Sequence, residues 1–472
     1  MKGKRFFGIL QSCILILLFM SLLGQCVLYV GFAEKIGGTV LEPFPDSQIR
    51  LLSSASGGMS SSDIISPCFI GILDGNTSGT GVMLSMSVDS EAASEVWQGF
   101  VSVLENSPKG TAKQIIFSDY AEKSSYLSQL YEKSESCCYA RFAEGIEFSV
   151  LASILSGVYE VIPENPDFVI SDMFLVRGSN GEASIIATDL DGEVLKIFPS
   201  KNITFNNEIL TAYTDTGENL FFFQNLAEGK EFYGNGYFPV LNRTLSAPSL
   251  VRSDFDSFFS ISESGEDARK LMKMFGINSD NVRTYNTSDG DIVFVEDANR
   301  LTVSKDGRVE YIPDEGGKPV SEIITTDNIG FGAISDTARF IAASLSEALL
   351  LCDADVALKG VSFDGSVCRF EYCYSANGIP IVDKSFGEEY SAISLKFHGD
   401  RLVDAVLNIV PYRFSGKTVT NMPQKSALAL LSDSLYAQDE RVLYFGAQYL
   451  FAEGERNSEL VFALKTEKEV SR

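Results

Sequence analysis

The chain has 472 residues, enough for two or three domains, and its 45% hydrophobic and 21% charged content with 14 prolines describes folded globular material, excluding a fibre or a disordered chain. With 63 acidic against 38 basic side chains the net charge is −25, a surface that repels a phosphate backbone, and no basic stripe offsets it to allow nucleic-acid binding. One histidine, His398, serves the whole chain, so Ser-His-Asp or Cys-His catalysis and His-rich metal centres are poor fits.

The charge is unevenly spread. Lys2, Lys4 and Arg5 precede an uncharged run of 28 residues, Phe6 to Ala33, while residues 36–472 hold 34 basic against 62 acidic side chains. That run exceeds the roughly 20 residues needed to span a bilayer and the usual length of a signal-peptide core. It reads as a signal anchor in the cell membrane, with the basic amino terminus in the cytoplasm and the acidic bulk outside. Cleavage after Ala33 is the alternative, because Gly31-Phe32-Ala33 offers small residues to a signal peptidase; Gln25 before Cys26 spoils a lipoprotein box. Within the anchor, Gly8, Ser12, Ser21, Gly24 and Gln25 are small or polar, and Gly8/Ser12 and Ser21/Gln25 share a face four residues apart. Helices associating in lipid favour such residues, which makes these five the candidate transmembrane contact.

Residues 34–66 are Gly/Ser/Pro-rich and read as a juxtamembrane tether. An amino-terminal extracytoplasmic α+β domain follows at 67–240. Val96, Phe100 and Val103 recur at helical spacing, as do Tyr126, Leu127, Leu130 and Tyr131, with a short strand at Lys113–Ser118 between them. From Asp167 onward, Phe168-Val169-Ile170 and Ile185-Ile186-Ala187 read as strands, and Asp191-Gly192 as a hairpin turn. Gly234-Asn235-Gly236, Pro239 and Pro248 then break the periodicity and mark a boundary.

A second α+β domain, 241–330, opens with a helix whose Ala268, Leu271, Met272 and Phe275 share a face and which stops at Gly276. Strand-like segments follow at Val282–Asn286, Ile292–Glu296 and Leu301–Tyr311, with turns at Asp289-Gly290 and Asp306-Gly307. The order repeats in a third domain, 331–436. There Ser335-Asp336 caps a helix with Ile341, Leu345, Ala348 and Leu349 on one face. Strands follow at Val361–Asp364, Cys368–Ser375, Ile393–His398 and Leu402–Tyr412, and a closing helix after Pro423 carries Leu428, Leu431 and Leu435. Residues 437–472 are a carboxy-terminal extension. The predicted fold is α+β: a transmembrane helix, an αβ amino-terminal domain, and two helix-plus-antiparallel-meander domains, each sheet covered on one face by its helix.

Motifs that carry chemistry are scarce. Asp189-Leu-Asp191-Gly192 and Asp289-Gly-Asp291 lack the spaced ligands of a calcium loop and read as turns. Cys68, Cys137, Cys138, Cys352, Cys368 and Cys373 are sparse for an ectodomain and include no zinc ligand set; they read as buried small side chains, with one or two disulfides open in an oxidising exterior. Trp97 reads as core and His398 as an exposed hairpin end. The expectation is a non-enzyme with no cofactor and no metal, acting by contact with other proteins.

Several stretches resemble YycH-type proteins: Phe142–Ile146 through Leu151, Asp172–Leu175, Val194–Ile197, Val282–Asn286 leading to Asp289-Gly290, Leu301–Val303 and Gly307–Tyr311. Phe370–Ile381 and Leu402–Arg413 are similar to the carboxy-terminal part of YycH and YycI. The resemblance spans about residues 140–435 and rests on strand and turn patterns without a catalytic signature. It implies a bitopic protein of Gram-positive bacteria that modulates the sensor histidine kinase WalK of a cell-wall two-component system. Its implied partners are the kinase and a paralogous YycI-like regulator, contacted through anchor and ectodomain. The alternative function is a cell-envelope solute-binding protein or a carboxylate-based hydrolase, which needs a concave site with convergent polar groups.

Overall fold

Alternating strand-forming residues dominate the chain, and the fold is mixed α+β, mostly sheet with few helices. The computed structural model describes, with short gaps, residues 67–151, 169–200, 220–223, 239–255, 265–348, 352–427 and 440–468, all within the unit Met59–Arg472. The anchor, the tether and Gly8, Ser12, Ser21, Gly24 and Gln25 lie outside the described residues, as do Leu428, Leu431 and Leu435 and most of the helix expected around Tyr126. No described helix is long and apolar enough to cross a membrane.

The first sheet uses β1 (Phe69–Leu73), β2 (Thr80–Leu84), β3 (Lys113–Ile116), β4 (Ser134–Glu147), β5 (Val169–Gly178), β6 (Ala183–Asp189), β7 (Val194–Ser200), β8 (Leu220–Phe223) and β9 (Pro239–Leu241). They pair antiparallel in the order β3-β7-β6-β5-β4-β1-β2-β8-β9. Helix α1 (Ser90–Asn106) lies on one face. Its Val96, Trp97, Phe100 and Val103 are buried as their spacing predicts, in one core with Ile70, Ile72, Cys138, Ala140, Met173, Leu175 and Ile185. Trp97 meets Phe142 edge-on at 5.9 Å between ring centroids. The reverse face of β4 and β5 is buried too, with Tyr139 and Phe174 at 5.0 Å and Arg141 and Asp172 beside them.

Beyond this sheet come β10 (Thr244–Arg252), α2 (Glu266–Met274), β11 (Arg283–Asn286), β12 (Ile292–Glu296), β13 (Asn299–Val303), β14 (Arg308–Ile312), β15 (Lys318–Pro319) and α3 (Phe331–Ala348). They are followed by β16 (Asp355–Asp364), β17 (Val367–Ala376), β18 (Ile379–Asp383), β19 (Ile393–His398), β20 (Arg401–Asn408), β21 (Tyr412–Pro423), β22 (Glu440–Phe451) and β23 (Glu459–Lys468). Twelve of these strands form one sheet, β11-β12-β13-β14-β20-β19-β17-β18-β22-β23, with β15 on β20 and β16 on β17. The two helix-then-meander passages therefore share a sheet instead of building one each. A meander ending at β14 leaves a row of unpaired backbone groups, and β20 satisfies them. Strands β10 and β21 form a separate two-stranded ribbon, and β4 of the first sheet packs against β16 of the second.

Local expectations hold for α2, where Ala268, Leu271, Met272 and Phe275 are buried and Gly276 turns the chain at φ 63°. Helix α3 differs at its start. It begins at Phe331, a turn ahead of the expected Ser335-Asp336 cap, because Phe331 finds ring partners in Phe363 and Phe370 at 5.8 and 6.0 Å. The Asp336 carboxylate instead accepts from the Thr326 hydroxyl at 2.6 Å and the Asn328 side-chain amide at 2.8 Å, tying down the preceding loop. Around Pro239 and Pro248, where the sequence reads as a break, there are strands. Pro239 opens the edge strand β9, and Pro248 sits at a register shift of the β10–β21 ribbon, positions where a missing N–H is tolerated. The single strand expected over Leu402–Tyr412 divides at Pro411 into β20 and β21, and β18 has no counterpart in the sequence reading. The extension at 437–472 supplies the hairpin β22–β23, which joins the sheet through the parallel pairing of Ile381, Val382 and Asp383 with Tyr449, Leu450 and Phe451.

Candidate functional site

Among the described residues, a connected cluster of polar side chains lies where β10, β18, β21 and β22 meet. Asp383 ends β18 with its side chain fully buried and caps a following one-turn helix by accepting from the Ser385 amide at 3.0 Å. Arg252, at the end of β10, reaches both carboxylate oxygens through Nη1 at 3.1 and 3.2 Å and also donates to Ser385 Oγ at 2.8 Å. Tyr412, opening β21, donates its hydroxyl to Asp383 at 3.1 Å and lies 3.2 Å from the Tyr390 hydroxyl, which is therefore the donor to Tyr412. Tyr374 donates to the Asn408 carbonyl at 2.9 Å, and its ring meets Tyr412 edge-on at 5.4 Å. Phe451 of β22 closes over Tyr412 at 5.1 Å, and Tyr449 donates to the Pro248 carbonyl at 2.8 Å.

The electrostatics of this cluster are those of a joint. Burial first, then the neighbouring phenols and the Asp383 charge, push the Tyr412 and Tyr390 hydroxyls well above the ordinary tyrosine range. Burial likewise raises Tyr374, and it lifts Tyr449 to about 12. The phenols stay protonated and serve as hydrogen-bond donors, Tyr412 to the Asp383 carboxylate, Tyr390 to Tyr412, and Tyr374 and Tyr449 to backbone carbonyls. What the arrangement does chemically is hold four strands from distant parts of the chain together.

The second candidate region is the face of the large sheet turned away from α2 and α3. Register places Arg308 and Glu310 of β14, Asp404 of β20, Lys396 of β19 and Arg369 of β17 on that side, with Lys396 directly across from both Asp404 and Arg369. Arg308 Nε meets Glu310 Oε1 at 2.7 Å. Partial burial raises the Asp404 carboxyl above its usual value, and Lys396 opposes that shift. This stretch is internally compensated, as a solvated sheet face is.

The residues singled out from sequence are scattered. His398 is exposed at the end of β19, beside the positive-φ turn at Gly399, as its position predicts. Asp289-Gly290-Asp291 is a hairpin turn, closed by the Thr287 amide donating to the Asp291 carbonyl at 2.8 Å; the Asp191-Gly192 turn falls outside the described residues. Cys137, Cys138, Cys352, Cys368 and Cys373 are free thiols. Cys368 and Cys373, five residues apart on β17, point to opposite faces, and burial pushes Cys368 up to about 12 and Cys352 up to about 11. Among the described residues no group of three or more His, Cys, Asp or Glu side chains is placed to hold a metal. Sequence reading missed Arg252, Asp383, Tyr390 and Tyr412. The one local signal was Asp383-Lys-Ser385, a short-helix cap. None of the family models, curated proteins or solved structures compared with this chain matches it.

Proposed function

We propose that the chain is a non-enzymatic, membrane-anchored extracytoplasmic regulator that modulates a sensor histidine kinase of a cell-envelope two-component system, through its anchor and through the sheet-rich body. In this reading residues 6–33 are an uncleaved transmembrane helix, 34–66 a tether, and the helix-then-meander passages at 241–330 and 331–436 a repeated unit of the YycH type. The observation that carries it is where the resembling stretches fall. Val282–Asn286, Leu301–Val303, Gly307–Tyr311, Phe370–Ile381 and the β20 part of Leu402–Arg413 supply strands of the large sheet, and Phe142–Ile146, Asp172–Leu175 and Val194–Ile197 supply strands of the first sheet; two such sheets are a scaffold for broad contact with another protein.

The test is co-expression of the full chain with a WalK-type sensor histidine kinase. The two are expected to co-purify from detergent-solubilised membranes, and kinase output is expected to change when the chain is deleted. Replacing Gly24 and Gln25 by leucine should weaken the complex while membrane insertion persists, since close-approach residues and interhelical hydrogen bonds each contribute about 1 kcal/mol in lipid. Absence of a complex with unchanged output would overturn the reading.

A further inference from the structure

The open face of the large sheet changes character at its β11 end. There the register sets Arg283, Val295, Arg300 and Ile312 directly opposite one another across four strands, so all four point the same way. Tyr285, two residues from Arg283, shares that side. The alternate row, Thr284, Phe294, Leu301 and Tyr311, faces α2, where Phe275 stacks on Tyr311 at 4.6 Å. Among the described residues no comparable ring contact covers the first row. Arg283 and Arg300 are exposed, Tyr285 is 49% exposed and Ile312 39%, two of the few large apolar side chains that the described residues leave in water.

Carboxylates outnumber cations 63 to 38, and most buried or half-buried cations have partners: Arg252 takes Asp383, Lys318 takes Glu322 and Glu296, Arg339 takes Asp336. Arg283 and Arg300 have no carboxylate or other polar partner among the described residues. Glu310, the acid that shares this part of the face, is taken by Arg308 at 2.7 Å. With one strand between them the two guanidinium groups stand on backbones about 10 Å apart. Two unpaired arginines flanking a tyrosine, a valine and an isoleucine on a flat surface match the composition of the energetic centre of a protein interface. The charge complement of that centre is acidic.

We infer that the β11–β14 end of the open sheet face, centred on Arg283, Tyr285, Arg300 and Ile312, is a docking surface for an acidic segment of a partner protein that carries apolar side chains between its carboxylates. Arg283 and Arg300 take the carboxylates as charge-assisted pairs, and Tyr285, Val295 and Ile312 receive the apolar side chains. This deepens the regulator reading and rests on it for the partner's identity, though the surface itself is defined by geometry.

The test uses the full chain in detergent and a fluorescent synthetic peptide alternating glutamate with leucine and phenylalanine, with a lysine-for-glutamate counterpart and phosphatidylglycerol vesicles as further arms. The acidic peptide is expected to bind, more weakly at higher salt, and Arg283→Glu with Arg300→Glu should weaken it about tenfold or more. Tyr285→Ala with Ile312→Ser should weaken it as well without steepening the salt dependence. A circular-dichroism melt unchanged from the parent guards against misfolding, and Arg283→Lys with Arg300→Lys should restore part of the affinity if a fold defect is absent. Equal binding of the lysine peptide, or no effect of the double reversal, overturns the proposal. Loss of vesicle binding in place of peptide binding overturns it in favour of a lipid surface. Co-purification with the kinase that survives the double reversal removes this surface while leaving the regulator reading intact; peptide binding without any kinase complex does the reverse.

Discussion

Asp383 joins strands that are far apart in the chain. Its carboxylate is fully buried and accepts from Arg252, Ser385 and Tyr412. Asp383→Ala leaves a guanidinium and a phenol without their acceptor, and breaking a buried pair by removing one member costs about 3–5 kcal/mol. Chemical denaturation followed by circular dichroism should show that loss, whereas Arg456→Ala, which removes a pair with Asp254 exposed to 63% and 64%, should stay within about 0.5 kcal/mol. The phenols around Asp383 give a pH prediction of definite sign. Tyr374, Tyr390 and Tyr412 are raised above the ordinary 10.0 by burial. The unfolded chain therefore releases those protons first. The stability they contribute is complete below pH 10.0 and is lost as pH climbs through the folded-state values. The denaturation midpoint should be insensitive to these groups below that point and fall above it, with their phenolate absorbance appearing only as the protein unfolds. Early phenolate absorbance in the native state would show that the cluster is open to water.

At the scale of elements, the turn that ends α2 is the sharpest local test. Gly276 has φ 63°, and a Cβ there would lie 2.3 Å from the Glu322 carbonyl oxygen. Gly276→Ala therefore combines the left-handed backbone penalty, about 1–2 kcal/mol, with a backbone clash that forces α2 and the segment after β15 apart. Gly290, at φ 90° in the β11–β12 turn, has nothing within 4 Å, so Gly290→Ala should cost the backbone term alone. Thermal melts of the two variants separate these contributions: a larger loss at Gly276 is expected, and equal losses would mean the Glu322 carbonyl gives way freely. Both glycines were legible as punctuation in the sequence, because a helix stop and a hairpin turn are local demands on φ. The close approach to Glu322 was not, since it comes from a residue 46 positions away in the chain.

For the whole molecule, the hairpin β22–β23 is the structural closure. It pairs in parallel with β18 over three residues, sets Phe451 on Tyr412, and exchanges two 2.9 Å hydrogen bonds between Ser458 and Leu250. A chain ending at residue 439 loses that cover over the Asp383 cluster and exposes the β18 edge; it should yield aggregated protein without a cooperative melt. What the sequence determined by itself was local: the buried faces of α1 and α2, Ile341 and Leu345 on α3, the hairpin turns at Gly290, Gly307 and Gly399, the core position of Trp97 and the exposed end at His398, all set by periodicity and φ preference within a dozen residues; Leu349 and the turns expected at Asp191-Gly192 and Asn377-Gly378 lie outside the described residues. Tertiary structure alone decided the rest. Phe331 drew α3 back by a turn because Phe363 and Phe370 waited for its ring, and Pro248 entered a strand because β21 offered an irregular register. The two meanders merged where β14 met β20, and residues from β10, β18 and β21 closed around one carboxylate. Those pairings join residues scores to hundreds of positions apart. Which edge meets which depends on the backbone groups and apolar surface each would otherwise leave unsatisfied, a sum over the folded whole that no local window contains.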